Sequence, residues 1–342
     1  MQNFSGITEF LVKRTCLILN KKQGVLNMNN LKKVGLTALA GSLVAGSVSA
    51  ADLSVTGSAT MSYNGGDSKK TQGNGWTMAD SVTFSASGDV NDIGVTLSLE
   101  LDGDGADGTN QLDSQSIKFD LGDAGTLTFA GHGGSSAMSA KDDVMPSASE
   151  EPWDVLTGAE TNVVGGTAGN DMFTYSYSHD SGLTFTAAYI NASAAVTAVS
   201  YSDFGVEYTG VDGLTIGYAT GDSEVTVGAE IEEHTMYAKY AMGGITVGVQ
   251  VSEADASGSS QDYETSGMGI SYQVNEDLAV SYGSHEIEAV GSGNPDQETS
   301  AVSASYTMGS LSIKASVHNG DNIGNSSTNN REAYNLSLGF AF

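Results

Sequence analysis

The residues best suited to chemistry lie between positions 131 and 170, where Asp142, Asp143, Glu150, Glu151, Asp154 and Glu160 surround Trp153. Carboxylates at this density concentrate cations wherever low-dielectric walls focus their field; on an open loop they only solvate it. A second acidic stretch, Asp102-Gly103-Asp104-Gly105-Ala106-Asp107-Gly108, alternates carboxylate with glycine and could wrap calcium in oxygen ligands. It departs from an EF-hand: Asp107 stands where the turn glycine belongs, and no Glu closes the loop. A solvated acidic loop is the competing reading. His132, His179, His234, His285 and His318 are scattered singly, and no HExxH, GxSxG or phosphate-binding loop is present. No catalytic constellation or organic cofactor is therefore expected, and the chain does not read as an enzyme.

Composition narrows the setting. The 342 residues carry 41 Asp and Glu against 13 Lys and Arg, a net charge of −28, which opposes nucleic-acid binding. Only 16% are charged, against about 25% in soluble domains. One cysteine, Cys16, excludes a disulfide framework and a cysteine zinc site. The charge is uneven: residues 1–50 hold six basic residues and one acid, leaving 7 basic and 40 acidic residues after Ala50. Met28–Ala50 reads as an export signal, with Lys32 and Lys33, an apolar run over 34–48, and Val48-Ser49-Ala50 before a cleavage at Ala51. Its core is short for a transmembrane helix. Residues 1–27 precede that signal and read as a non-native extension, with translation starting at Met28.

The body, 51–342, alternates with period two. Leu53, Val55, Gly57, Ala59, Met61 and Tyr63 interleave with small polar residues, as do Val95 to Leu101 and Tyr334 to Phe342. Seven short Gly/Asn/Asp turns recur, at 91–94, 122–125, 180–182, 211–213, 242–244, 275–277 and 308–310. Eight longer polar segments separate them, at 64–78, 102–111, 131–170, 190–200, 220–231, 252–262, 285–298 and 318–331. Fifteen connections imply sixteen strands. Pro146, Pro152 and Pro295 all fall in the long segments, as strand interiors exclude proline.

A soluble sandwich also alternates, but two features favour a transmembrane β-barrel. The second row is Ser, Thr and Gly, which suits a wet interior. Phe119, Tyr177, Tyr208, Tyr240, Tyr272, Tyr306 and Phe342 each stand in the apolar row beside a short turn or the C-terminus, like an interfacial girdle.

The export signal, the opening Ala51-Asp52-Leu53-Ser54-Val55-Thr56-Gly57, the turn-then-apolar units and the terminal Tyr334-x-Leu-x-Leu-x-Phe-x-Phe342 resemble a Gram-negative general diffusion porin of the alphaproteobacterial type, over all of 51–342. The resemblance implies an all-β, sixteen-stranded antiparallel barrel in the outer membrane. It implies a homotrimer with an inward-folded third loop, and passive diffusion of small hydrophilic solutes and ions. It also implies that the C-terminal strand is read by the barrel-assembly machinery, and that lipid and lipopolysaccharide surround the barrel, with divalent bridging a further role for the acidic loops. The third long segment is the longest, so Asp142, Asp143, Glu150, Glu151, Asp154 and Glu160 become the expected pore constriction, biased towards cations. Lys118, Lys239, Lys314, Glu100, Asp120, Glu207 and Glu233 fall in the lumen row. The strand directions put the three lysines towards the short-turn end, which leaves a full basic ladder opposite the acids in doubt. A substrate-specific channel is the near alternative, and a secreted acidic surface protein the distant one.

Mass spectrometry of the outer-membrane band should give Ala51 as the N-terminus; recovery of a peptide containing Cys16 would overturn the processing scheme.

Overall fold

Small polar residues on one row and apolar ones on the other give each segment two distinct faces, and antiparallel pairing then satisfies every backbone group along it. A computed structural model describes residues 52–66, 74–103, 112–159, 164, 168–191, 200–226, 229–257 and 261–342. Its strands are β1 (Asp52–Gly65), β2 (Trp76–Val90), β3 (Ile93–Asp102), β4 (Leu112–Asp120), β5 (Thr126–His132), β6 (Gly134–Ser135), β7 (Ala168–Gly169), β8 (Met172–His179), β9 (Leu183–Ile190), β10 (Tyr201–Val211), β11 (Leu214–Thr226), β12 (Ala229–Met242), β13 (Ile245–Ala256), β14 (Tyr263–Gln273), β15 (Leu278–Ala289), β16 (Gln297–Met308), β17 (Leu311–Asp321) and β18 (Arg331–Ala341). All but β6 and β7 form one closed sixteen-stranded antiparallel barrel in chain order, with β18 paired back to β1. The ribbon β6–β7 lies within the third long connection.

All seven short turns fall where the sequence puts them. At Asn91-Asp92 both turn residues take positive φ, 52° and 66°, the geometry that matches the twist of a two-residue hairpin. The long connections are shorter than their polarity suggests. The expected loop at 220–231 is mostly strand: β11 continues to Thr226 and β12 begins at Ala229. Likewise β13 runs to Ala256, β15 to Ala289 and β17 to Asp321. The physical reason is that pairing requires backbone partners and not apolar side chains, so a strand continues past the lipid band into water.

The wall is therefore uneven. Strands β4, β5, β8 and β9 have 9, 7, 8 and 8 residues, whereas β11 to β18 have 11 to 14. The expected girdle faces outward: Tyr240 pairs with Leu214, Tyr272 with Ile245 and Tyr306 with Leu278, each beside a short turn. A second aromatic level, unanticipated from the sequence, lies at the long-loop end, where Tyr63 contacts Trp76 and Tyr334 at ring-centroid distances of 5.0 and 6.2 Å.

Closure rests on Gly57 and Phe342. Gly57 N–H donates to the Phe342 carbonyl at 2.8 Å and Phe342 N–H to the Gly57 carbonyl at 2.9 Å. The Phe342 ring covers the glycine so closely that a Cβ there would lie 2.6 Å from its Cε2. Gly57→Val should thus reduce the heat-modifiable folded barrel on electrophoresis several-fold, in the same direction as deleting Phe342. Wild-type yield from Gly57→Val would remove this contact from the closure mechanism.

Candidate functional site

The third long connection enters and leaves through the ribbon, Gly134 opposite Gly169 and Ser135 opposite Ala168. Its chain then follows the inner wall in order. Met138 N–H donates to the Asp203 carboxylate of β10 at 2.6 Å, and Gln250 of β13 donates to the Lys141 carbonyl at 2.7 Å. Ala148 N–H donates to Ser281 Oγ of β15 at 2.8 Å. Nδ1 of His318, on β17, donates to the Pro152 carbonyl at 3.1 Å, since a carbonyl can only accept, and its Nε2 lies 2.8 Å from Ser316 Oγ. Asp203 also accepts from Tyr201 OH and Ala188 N–H, so its buried charge has three donors.

These bonds alone cannot hold the loop. A neutral hydrogen bond contributes ~0.5–1.5 kcal/mol net, and one to a charged group ~1.5–3. Ordering the backbone costs ~1–2 kcal/mol per residue. Buried apolar side chains add ~1.5–3 kcal/mol each. Met138 and Val164 pack with Ala219 and Ala254; Val155 and Leu156 pack with Ile323 and Ala333. Trp153 is buried against His285, with ring centroids 4.3 Å apart.

Asp142, Asp143, Glu150 and Glu151 line a pocket between the loop and the inner wall, shared with Gln250, Ser281 and His285. Asp142, Glu150, Glu151 and Asp154 are half-buried and Asp143 is exposed, whereas Glu160 lies outside the described residues. Burial raises Asp142 to about 6, with Glu233 of β12 adding to the effect. Asp143 keeps an open surface but is crowded by the loop and wall around it; that desolvation, then Asp142 and Asp154, pushes it to about 7. Desolvation and a hydrogen bond with Asp154 push Glu151 to about 8. Glu150 is raised by burial and Asp154, against the opposing pull of Lys314. Lys141 turns the other way, to the wall, where it packs over Gly205; burial lowers it while Glu207 and Asp203 oppose that shift.

The other lumen residues resolve into groups. Lys314 sits on the loop's own side, close enough for its charge to act on Glu150. Lys239 lies beside Gly248, next to Pro146, with its Nζ 5.4 Å above the Tyr237 ring, whose hydroxyl donates to Glu207. Lys118 faces inward between Thr96 and Thr128 on the wall the loop leaves free. Glu100 accepts from Ser114 Oγ at 3.4 Å. Asp120 caps the turn through Gly122 N–H, a structural task at the short-turn end. Lumen-row residues under the loop are buried, among them Thr235, Gln250, Thr265, Ser281, Ser303 and Ser316. Those of β2–β4, including Ser85, Thr96, Ser98 and Ser116, are half-exposed. The open bore thus runs between the acidic loop and the β2–β4 wall.

For a cation, Glu150, Glu151 and Asp154 bring ligand oxygens within 4.8 Å of one another, the one such group of three among the described residues. Of the second-loop acids, Asp102 ends β3, and Asp104 and Asp107 lie outside the described residues. The anchors Asp203, Gln250, Ser281 and His318 were missed from the sequence. For Asp203, Gln250 and His318 the signal is a large polar side chain in a row otherwise made of Ser, Thr and Gly; Ser281 is one of that row and carries none.

A family model described as Gram-negative porin matches residues 35–342. No curated protein gives a significant match. Solved structures that resemble the chain include in-vitro folded OmpT, an outer membrane protein of Vibrio cholerae, in a trimer form, with TM-score 0.66 and 14% identity over 86% of this chain and 100% of that one. The anion-selective porin from Comamonas acidovorans gives TM-score 0.65 and 13% identity over 85% and 100%. Salmonella typhi OmpF in complex with daunomycin gives 0.62 and 14% over 85% and 97%. At these identities the likeness establishes the barrel fold.

The raised loop carboxylates are neutral below their shifted values and charged above them, so the loop gains negative charge as pH rises through 6 to 8. Ordinary carboxylates have finished titrating by about pH 5. Cation preference, read as zero-current potential across a KCl gradient, should therefore grow between about pH 5 and about pH 9. A flat profile over that range would mean that these groups face bulk water.

Proposed function

The chain belongs to the Gram-negative porin family, and from that premise we propose that it forms a water-filled outer-membrane channel for passive diffusion of small hydrophilic solutes, with a preference for cations. The observation that carries the reading is the third loop, tied along the inner wall from β10 to β17, which brings Asp142, Asp143, Glu150, Glu151 and Asp154 inside the barrel. Across the bore stands a hydroxyl-rich wall with one lysine, Lys118, together with Glu100. Lys239 and Lys314 lie on the loop's own side and cannot form an opposing basic face. No catalytic step or organic cofactor is part of this reading.

Assembly as a homotrimer is supported by the uneven wall. A tilted strand needs about 9–11 residues to cross the hydrocarbon. Strands β5, β8 and β9 have 7 or 8, too few to meet lipid unaided. Their outer face carries Phe129 against Phe173 at 4.8 Å, with Phe185 and Tyr189 exposed alongside, a surface suited to neighbouring subunits.

The tall wall favours lipid contact. Near its long-loop end the outward row turns acidic, with Asp222, Glu232 and Asp255 side by side across β11–β13, and Glu253, Glu264 and Glu288 across β13–β15. Like charges directly opposite destabilise a sheet, so this belt favours divalent cations shared with phosphate-bearing headgroups such as lipopolysaccharide. Calcium at Asp102, Asp104 and Asp107 remains a proposal supported only by the alternation of acid and glycine. Signal cleavage at Ala51, recognition of the C-terminal strand by the assembly machinery, and the alphaproteobacterial affinity rest likewise on sequence pattern.

The test is the zero-current potential across a KCl gradient at alkaline pH. Wild type should prefer cations, and a variant with Asp142, Asp143, Glu150, Glu151 and Asp154 changed to Asn or Gln should lose most of that preference. An anion-selective wild type would overturn the selectivity, and a wild type that forms no channel would overturn the function.

A further inference from the structure

The depth to which the third loop sits is set by the wall beneath it, and three glycines are adjacent there. Gly248 on β13 pairs with Gly269 on β14, which pairs with Gly283 on β15. All three belong to the lumen row. Glycine is the weakest strand former, since it has no side chain to pack and the most backbone freedom to lose. Three side by side across a sheet therefore need a reason other than strand stability.

Space is that reason. A Cβ at Gly248 would lie 2.6 Å from Pro146 Cδ. One at Gly269 would lie 2.8 Å from the Pro146 carbonyl oxygen and 3.1 Å from its nitrogen. One at Gly283 would lie 3.2 Å from Pro152 Cγ. The obstacles are a rigid ring and loop backbone, which cannot rotate away as a flexible side chain can. The contrast on the same strand is Gly267, two residues from Gly269 in the same row. A Cβ there would meet His285 Cδ2 at 3.4 Å and Met145 Cγ at 3.7 Å, ordinary contact distances. Gly205 differs again, since its nearest neighbour is the Lys141 stem, which can shift.

We propose that Gly248, Gly269 and Gly283 form a flat window in the barrel wall that seats Pro146 and Pro152, and that this seat fixes how far the acidic loop projects into the bore. They are positioning residues: they touch no permeating ion, and act through the loop. The inference rests on the channel reading above and adds to it which wall residues set the width of the path.

The test compares Gly269→Ala with Gly267→Ala, each with the folded fraction checked by heat-modifiable mobility. In planar bilayers, Gly269→Ala should lower single-channel conductance roughly 1.5-fold, as the loop is pushed into the narrowest section, and should shift the zero-current potential. Gly267→Ala should match wild type. A general penalty for replacing a strand glycine would affect the two alike. A second readout does not depend on conduction. The chain has two tryptophans, and in a Trp76→Phe background the emission of Trp153 reports the loop's seat. It should change with Gly269→Ala and not with Gly267→Ala. Equal behaviour of the two variants in both readouts overturns the proposal, and so does a change in emission with conductance and potential unaltered. Should Gly269→Ala fail to fold, Pro146→Ala tests the seat from the loop side. It should raise conductance, and an unchanged value counts against the window. A wild-type barrel that conducts nothing would refute the channel reading itself, while the emission comparison would still judge the seat.

Discussion

Everything in this protein depends on closing the hydrogen-bond ladder. A sheet edge inside a bilayer would leave a row of N–H and C=O groups with no water to bond. The chain removes that edge by pairing its last residues with its first, Ser58 opposite Ala341 through Gly65 opposite Tyr334. The reciprocal bonds between Gly57 and Phe342 complete the seam at the short-turn end. Closure makes the alternating rows meaningful, because only a closed sheet has an inside and an outside that strand residues face in turn.

A closed barrel of this width cannot fill its interior with wall side chains that are mostly Ser, Thr and Gly. The third loop occupies part of that space, and its position follows from the unequal wall. The taller strands, β10 to β17, offer it acceptors and donors at Asp203, Gln250, Ser281 and His318. They also offer glycines where its backbone comes closest. The loop's apolar residues turn to the wall, and Asp142, Asp143, Glu150 and Glu151 line the pocket left between the two. Desolvation then raises those carboxylates, so the loop's charge depends on pH in the neutral range rather than the acid one.

Period and punctuation made the barrel readable from the sequence. Alternation in Leu53–Tyr63 and Tyr334–Phe342, turns such as Asn91-Asp92, and aromatics at the ends of strands are local signals, and each reflects a physical requirement at that position. The acids of the third loop were legible as a cluster for the same reason. Strand ends at 220–231 were not, because polar residues suit a loop and a paired strand in water equally well. The wall contacts were not legible either. His318 and Pro152 are 166 residues apart, and a lone His in a strand gives no hint of its partner. The glycines at 248, 269 and 283 are visible in the sequence, but their adjacency exists only once register is known.

Register also bears on how charge acts in the bore. Every Lys and Arg among the described residues lies in the inward row or in the loop itself, so the inventory alone suggests that they offset part of the acids' field. Placement changes that conclusion. Lys141 is spent on the wall between Asp203 and Glu207, Lys314 lies close to Glu150, and Lys239 sits over Tyr237 beneath the loop. Lys141 and Lys314 act on carboxylates close beside them, and none of the three lies on the β2–β4 wall across the channel. Fields in water at physiological salt decay over about 8 Å, so a cation passing close to the loop feels the nearest carboxylates more than lysines behind them. The selectivity of such a channel depends on which charges line its free surface, and the wall opposite the loop brings hydroxyls with Lys118 and Glu100 to it.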